Sequence, residues 1–148
     1  MPAQRRSHRD RAGARRASDL ESHSLGVETI LLVEDEAAVR QFATIALERH
    51  GYRVLEAHSA EAALSLLERV SCPIHLLLTD IVLPGIDGRE LADHVERFRP
   101  DMSILFTTGY SEPLRRNPQT AMIELLEKPF TARALLEKTR ATLDRKVA

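Results

Sequence analysis

Beyond residue 26, short apolar runs alternate with longer segments in which apolar residues recur every three or four positions. The short runs are typical of buried strands, and the longer segments are typical of amphipathic helices. Five strands are predicted in this way, over residues 29–33, 53–57, 74–78, 103–107 and 123–126. Because these runs are largely apolar, the strands are expected in a sheet that is covered on both faces.

The segments between the strands predict helices with one apolar face. Gly51 is expected to stop the first helix, while Ser59 and Thr131 are expected to cap the second and the last. The segment between strands four and five contains Pro113 and Pro118, so its helix should be short or broken. The apolar residues expected to face the core from the other helices are Val39, Phe42, Ala43, Ala46, Leu47, Ala63, Leu64, Leu67, Leu91, Val95, Phe98, Leu135, Leu136 and Leu143.

This alternation of strands and helices predicts an α/β fold, a doubly wound five-stranded parallel sheet with helices on both faces. One domain over residues 27–148 is expected, because a chain of 148 residues suits a single compact unit. In such a sheet the strands end on the same edge, and ligands bind where the strand order reverses.

Residues 1–26 differ in composition from the rest of the chain. They hold six arginines against three acids, a net charge of +3, and show no sustained apolar periodicity. Such a tail is predicted to be disordered, because it cannot bury enough apolar surface to offset the entropy of ordering. An Arg-rich tail can bind phosphates or acidic surfaces, but no aromatic residue interleaves with these arginines. A solvated tail is therefore favoured over a nucleic-acid site.

Cysteine usage and hydropathy bear on the compartment. Cys72 is the only cysteine, which excludes an internal disulfide and a multi-cysteine metal site and is typical of a reducing compartment. No stretch is apolar over a length that could span a bilayer, and the N-terminus lacks the apolar segment of a secretory signal. We therefore expect a cytoplasmic protein with no membrane partner.

The stretch HLLLTDIVLPGIDG, residues 75–88, raises the question of why a buried strand should run into the charge of Asp80. A buried carboxylate without partners is costly, so Asp80 must be either solvated or compensated. The other strand ends bring further polar residues to the same edge: Glu34, Asp35, Thr107, Thr108, Glu127, Lys128 and Pro129. Taken singly, each of these residues could be a helix cap, a turn cap or a surface residue.

Taken together, Glu34, Asp35 and Asp80 would crowd three carboxylates into one pocket, where their repulsion calls for a cation. Carboxylate and carbonyl oxygens with retained waters are the ligands of Mg²⁺, whereas zinc would need thiolates or clustered imidazoles. Lys128 adds a positive charge and Thr108 adds a hydroxyl group. This combination predicts an aspartyl-phosphate site with Asp80 as the nucleophile and the cations neutralising the phosphoryl oxygens.

In four motifs the sequence resembles the receiver domains of bacterial two-component response regulators. The motifs are LLVEDE, LLLTDIVLPGIDG, ILFTTGY and LLEKPF, in this order along about the last 120 residues. The resemblance implies a flavodoxin-like sheet with strand order 2-1-3-4-5. It also implies that Asp80 is phosphorylated, that Asp35 binds Mg²⁺ directly, that Glu34 binds it mainly through water, and that the backbone carbonyl of Val82 completes the metal site.

The same resemblance assigns roles at the ends of strands four and five. Thr108 is implied as the switch hydroxyl and Lys128 as a contact of the phosphoryl group, and the Lys128–Pro129 peptide bond is expected to be cis. Two positions depart from the family pattern: Glu34 stands where Asp is frequent, and Leu125 stands where Tyr or Phe is frequent. Metal binding should survive the first departure, but an aromatic switch at position 125 is not expected.

The favoured interpretation is a non-enzymatic, single-domain phosphoacceptor in a phosphorelay, similar to receivers associated with hybrid histidine kinases. A histidine kinase or histidine phosphotransfer protein would phosphorylate Asp80, and the conformational change would alter binding of a downstream protein partner. Few residues follow the last helix, so no output domain is expected; nucleic acid is not favoured as a partner, and a weak homodimer is left open.

Two alternatives belong to other classes of protein. A pseudo-receiver interaction module would never be phosphorylated, and the complete set of pocket residues argues against it. A phosphoryl-transfer hydrolase would need a general acid two residues after the nucleophile, where this chain has Val82.

Overall fold

The computed structural model describes residues 27–109 and 124–147. Strands and helices alternate along these residues, as the hydrophobic pattern predicts. The strands are β1 (Thr29–Val33), β2 (Arg53–Ala57), β3 (Leu76–Asp80), β4 (Ser103–Thr108) and β5 (Leu125–Glu127). The helices are α1 (Ala37–Arg49), α2 (Ala60–Arg69), α3 (Gly88–Phe98) and α4 (Ala132–Val147).

The five strands form one parallel sheet in the order β2-β1-β3-β4-β5. This confirms the predicted fold class and strand order. The order reverses at β1, which has β2 on one side and β3 on the other. The carboxyl ends of β1 and β3 therefore lie side by side at the centre of one edge of the sheet.

Two apolar cores cover the two faces of the sheet, because successive strand residues point in opposite directions. Leu31 and Val33 of β1 belong to the core that α2 and α3 complete. Ile30 and Leu32, which alternate with them, belong to the core that α1 and α4 complete. Helices on both faces explain why the strands read as almost continuous apolar runs.

The predicted helix boundaries at three residues are confirmed. Ser59 Oγ accepts a hydrogen bond of 3.0 Å from Ala62 N at the start of α2, and Thr131 Oγ1 accepts one of 3.0 Å from Ala134 N. Gly51 follows α1 with a φ of 95°, a conformation that side chains other than glycine adopt at a cost.

The prediction for the third strand is wrong by two residues. The strand comprises Leu76–Asp80 rather than residues 74–78, because Leu76 is the first residue to pair with both β1 and β4. Asp80 itself pairs with Thr107 and so lies within the ladder. The charged residue is thus the last residue of the strand, and the site described below compensates its charge.

Two aromatic residues that were expected in the core lie at the surface. Phe42 is 44% exposed and contacts the ring of Phe130 at a centroid distance of 6.1 Å. Phe98 is 62% exposed at the end of α3, and its ring is tilted against that of His94 at a centroid distance of 4.6 Å. Val95 is the last buried residue of α3, and Phe98 is the residue at which the helix ends.

Several predictions concern residues outside the described ranges. These are the disordered tail of residues 1–26, the helix interrupted by Pro113 and Pro118, and the start of strand five at residue 123. Within the described ranges, β4 is one residue longer than predicted, and β5 begins at Leu125 rather than including Glu124 and ends one residue later than predicted. None of the described helices combines the length and the apolar character needed to cross a membrane.

Candidate functional site

The candidate site lies where the carboxyl ends of β1 and β3 meet. Val33, the last residue of β1, pairs with Thr79, which directly precedes Asp80. Glu34 and Asp35 follow Val33, so the sheet register brings all three acids to the same place. One carboxylate oxygen from each acid lies within 4.8 Å of those from the other two. Open α/β sheets bind ligands at such a reversal of strand order.

Lys128 compensates two of these three charges. Its Nζ donates a hydrogen bond of 2.6 Å to Glu34 Oε1 and one of 2.7 Å to Asp80 Oδ2. Lys128 follows β5 directly, two strands away from Asp80, and its long side chain reaches across the end of β4. The hydrogen bond from Lys128 explains how a charged residue, Asp80, can end a buried strand with only 8% of its surface exposed.

The buried position of Glu34 makes its negative charge costly. Glu34 is 2% exposed, and burial raises the pKa of its carboxyl to about 7 although Lys128 acts in the opposite direction. Its second oxygen, Oε2, is buried and has no hydrogen-bond partner among the described residues. A buried acceptor of this kind costs free energy unless it is protonated or binds a water or a cation.

The charge of Lys128 is stabilised by the same arrangement. Burial by itself would lower the pKa of Lys128, but hydrogen bonds and charge attraction from Asp80 and Glu34 outweigh it, so the pKa is raised. Lys128 therefore stays protonated at neutral pH. It supplies one fixed positive charge against three carboxylates.

The residues present fit the divalent cation that the sequence predicts. Three carboxylates offer hard oxygen ligands, and the unpartnered Glu34 Oε2 offers an acceptor without a donor. Asp35 is exposed, which leaves room for the waters that Mg²⁺ usually retains. No histidine or cysteine belongs to this cluster of described residues, so its chemistry matches Mg²⁺ rather than zinc.

Thr108 and Lys128 are linked through the backbone. Thr108 is the last residue of β4 and is 2% exposed, and its carbonyl accepts a hydrogen bond of 2.8 Å from Lys128 N. Thr107, the preceding residue, pairs with Asp80, and its carbonyl accepts a hydrogen bond from Ile81 N. The structure thus brings the ends of β3, β4 and β5 together, as the sequence predicts.

Val82 and Leu125 are two further residues that the sequence analysis singled out. Val82 lies two residues beyond Asp80 in the loop that leads to α3, and it is 70% exposed. Leu125 begins β5, is half-buried and pairs with Phe106. The peptide bond between Lys128 and Pro129 is cis, which confirms that prediction.

Two supporting residues were not predicted from the sequence. Gly88 packs so closely on the backbone of Asp80 that a β-carbon would lie 1.9 Å from the Asp80 carbonyl oxygen. Arg40 on α1 donates a hydrogen bond of 2.6 Å from Nη1 to the carbonyl of Glu34. For the packing of Gly88 on Asp80, the sequence offers one indication, the glycine at the end of PGIDG. For the hydrogen bond of Arg40 it offers none, because an arginine on an amphipathic helix is ordinary.

Comparisons with known proteins agree with this geometry. The family model of the response regulator receiver domain matches residues 30–140. The response regulator receiver protein CpdR of Brucella abortus (strain 2308) is 37% identical over 121 residues, which make up 79% of this chain and 98% of CpdR. The sensor kinase CckA of the same organism is 35% identical over 122 residues, which make up 81% of this chain but 13% of CckA.

Solved structures show the same fold. The receiver domain protein (CheY-like) from Methanospirillum hungatei JF-1 has a TM-score of 0.70 and 29% sequence identity, with 82% of this chain and 98% of that chain covered. The chain thus spans nearly all of some relatives and only a small part of others. On the family match, the relatives and the fold, the chain belongs to the response regulator receiver domain family, whose members are signalling modules of two-component systems.

Proposed function

We propose that this chain is a phosphoryl-accepting receiver and that Asp80 receives the phosphoryl group from a histidine kinase or a histidine phosphotransfer protein. The single observation that carries the proposal is the cluster of three carboxylates within 4.8 Å, with Lys128 2.7 Å from Asp80. A purely structural pocket gains nothing from three converging acids, because like charges repel. A pocket for phosphoryl transfer needs both the nucleophile and the positive charges.

In the proposed reaction, a carboxylate oxygen of Asp80 attacks the phosphorus of a phosphohistidine. The new P–O bond forms as the P–N bond breaks, and the departing imidazole keeps the electron pair of that bond and takes up a proton. The ammonium of Lys128 is placed to move from the Asp80 carboxylate to a phosphoryl oxygen. The hydroxyl of Thr108, at the neighbouring strand end, is the proposed donor to another.

Glu34, Asp35, Asp80 and the backbone carbonyl of Val82 are the proposed holders of Mg²⁺, which when bound would neutralise charge on the transferred phosphoryl group. The residues themselves have further roles. Glu34 and Lys128 hold the Asp80 carboxylate in place through shared hydrogen bonds. The buried walls of the pocket keep bulk water from all but the exposed side, where Asp35 and Val82 lie.

Phosphorylation is proposed to act by shifting a conformational equilibrium. Contacts of Thr108 and Lys128 with the phosphoryl group would draw the ends of β4 and β5 together, along the backbone hydrogen bond that already links them. Leu125 in place of an aromatic residue means that the change would be carried by the backbone and the adjoining helix. The altered surface would bind a downstream protein; residues 27–148 are proposed as the unit that does so, in the cytoplasm.

The alternative of a pseudo-receiver that is never phosphorylated predicts a different result in one experiment. The purified chain is mixed with histidine kinases carrying labelled phosphohistidine, and the label on the chain is measured. We expect transfer to the wild type and to Asp87→Asn, a control that removes a carboxylate from the loop between Asp80 and α3. Asp80→Asn should accept no label. Equal labelling of Asp80→Asn would exclude Asp80 as the acceptor, and no labelling of any variant would favour the pseudo-receiver.

A further inference from the structure

The loop of residues 81–87 connects Asp80 to α3 and carries Val82. Its two ends are fixed, because Ile81 N donates to the carbonyl of Thr107 at 3.0 Å and Gly88 N donates to the carbonyl of Ile81 at 2.8 Å. Leu83 anchors the loop further by burying its side chain in the core. The middle of the loop runs over the surface, where Pro84 and Gly85 are exposed.

Glu61 on α2 holds this exposed part of the loop. Its Oε1 accepts a hydrogen bond of 3.1 Å from Ile86 N, across 25 residues of sequence. Among the hydrogen bonds of the described residues, it is the one that connects the backbone of residues 82–86 to another helix or strand. The bond also lowers the pKa of the Glu61 carboxyl, which shows that the loop amide favours the ionised form.

Gly85 favours this contact through its conformation and its lack of a side chain. Its φ of +79° belongs to the left-handed region that glycine adopts without strain. A β-carbon at this position would lie 2.8 Å from Glu61 Oε1, which is closer than ordinary contact. A side chain at residue 85 would therefore strain the turn and push the Glu61 carboxylate away from its present position.

We propose that Glu61 is a positioning residue for the metal site: by holding Ile86, its carboxylate fixes the loop so that the backbone carbonyl of Val82 faces the acids. This inference rests on the proposed function, since it assumes that Val82 is a metal ligand. Glu61 does not touch the site. It acts by lowering the number of conformations that the loop must lose when the metal binds.

A purely local role for Glu61 is the competing explanation. Glu61 lies in the first turn of α2, where any negative charge is favoured by the helix dipole. Glu61→Gln separates the two roles, because glutamine loses the charge but keeps an oxygen that can accept from Ile86 N. Glu68→Ala is the matched control for charge removal, since Glu68 is exposed near the other end of the same helix.

The test measures the affinity of the intact chain for Mg²⁺ alone, from the rise of the melting temperature with Mg²⁺ concentration. An exposed hydrogen bond of this kind is worth about 1 kcal/mol, so Glu61→Ala should weaken Mg²⁺ binding about fivefold. Glu61→Gln and Glu68→Ala should stay close to the wild type. Hydrogen exchange of the Ile86 amide in metal-free protein should be faster in Glu61→Ala and nearly unchanged in Glu61→Gln.

Gly85→Ala provides a second variant of the same contact, because its methyl group would displace the Glu61 carboxylate while the φ of +79° adds strain within the loop. It should also weaken Mg²⁺ binding, and adding Glu61→Ala to it should produce little further loss, as expected for two residues that act through one contact. Fully additive losses, or equal effects of Glu61→Ala and Glu61→Gln, would overturn the inference.

The outcomes for the two proposals are distinguishable. If the wild type shows no response to Mg²⁺, the proposed function fails and the positioning role fails with it. If the wild type binds Mg²⁺ and Glu61→Ala binds it equally well, only the positioning role is wrong.

Discussion

The ammonium of Lys128 lies 2.7 Å from Oδ2 of Asp80. In the metal-free protein, Lys128 therefore compensates negative charge that a bound divalent cation would also compensate. Mg²⁺ entering the pocket would meet a positive charge already hydrogen-bonded to two of its three carboxylates. Lysine and metal are thus expected to compete in the resting protein and to cooperate only when a phosphoryl group adds negative charge.

The first prediction follows from this competition. Lys128→Ala should tighten Mg²⁺ binding about tenfold, because it removes a positive charge close to the metal. The same change should slow phosphorylation of Asp80 about 100-fold, because it removes a donor to the transferred phosphoryl group. Calorimetric titration with Mg²⁺ and the rate of labelling at saturating Mg²⁺ measure the two effects separately.

Lys138→Ala is a suitable control, since Lys138 lies on α4, outside the site, and forms an ion pair with Glu124. It should change neither quantity. Weaker Mg²⁺ binding in Lys128→Ala would contradict the competition. It would mean that Lys128 mainly orders the carboxylates for the metal.

The second prediction concerns pH and Glu34. Burial raises the pKa of Glu34 from 4.5 to about 7 in the metal-free protein, so the folded state keeps a proton that the unfolded state releases over this range. The free energy of unfolding should therefore fall as pH rises from about 4.5 to about 7 and then level off. The loss is expected to be on the order of 1–3 kcal/mol.

Urea unfolding of wild type and Glu34→Gln in a metal chelator measures this contribution. Glutamine is uncharged at every pH, so the stability of the variant relative to the wild type should increase through the same range. The six histidines are common to both proteins and cancel in the difference. Saturating Mg²⁺ should abolish the decline, because the metal competes with the proton. A difference that stays constant with pH would show that Glu34 is ionised throughout.

Much of the fold and of the site could be predicted from the sequence, because both rest on regular patterns. The continuous apolar run of a strand such as Thr29–Val33, all five residues of which are buried, and the cap at Ser59 are local signals, and both predictions are confirmed. The convergence of Glu34, Asp35 and Asp80 follows from parallel strands ending on one edge, so it needed no knowledge of side-chain contacts.

The predictions that went wrong, and the contacts that were missed, depend on tertiary packing. The start of β3 is set by its pairing with β1 and β4, and apolar character alone could not place it. Phe98 has the helical spacing of a core residue but is 62% exposed at the last residue of α3. Glu61 and Ile86 are 25 residues apart, and neither residue type indicates the contact between them.

The third prediction concerns Gly88 and the backbone of Asp80. Gly88→Ala should destabilise the protein by about 2–3 kcal/mol or more, because the new methyl group would overlap the Asp80 carbonyl oxygen and force the start of α3 away from β3. Gly109→Ala is the matched control, since no described atom lies within 4 Å of the corresponding position. Thermal or urea unfolding compares the two variants. Equal stability of both would show that the loop relaxes without cost.

The last prediction concerns the lifetime of the aspartyl phosphate. Hydrolysis needs a water in line with the phosphorus, and Val82, two residues beyond Asp80 and 70% exposed, is expected to screen that approach without hydrogen-bonding a water. The sequence also places the bulky Tyr110 two residues after Thr108, where we expect it to cover the mouth of the pocket; it lies outside the described residues. The phosphate is therefore predicted to be comparatively long-lived, and Val82→Asn should speed its decay about threefold to tenfold by adding an amide that orients water.

Decay of labelled protein after removal of the kinase measures this lifetime, and Val82→Ala separates the two contributions. Alanine removes bulk without adding a polar group, so a decay rate between those of wild type and Val82→Asn would show that screening and water orientation both matter. A rate in Val82→Ala equal to that of Val82→Asn would assign the whole effect to screening. If neither substitution changes the decay, Val82 does not limit access of water, and the source of any long lifetime must lie on another side of the pocket.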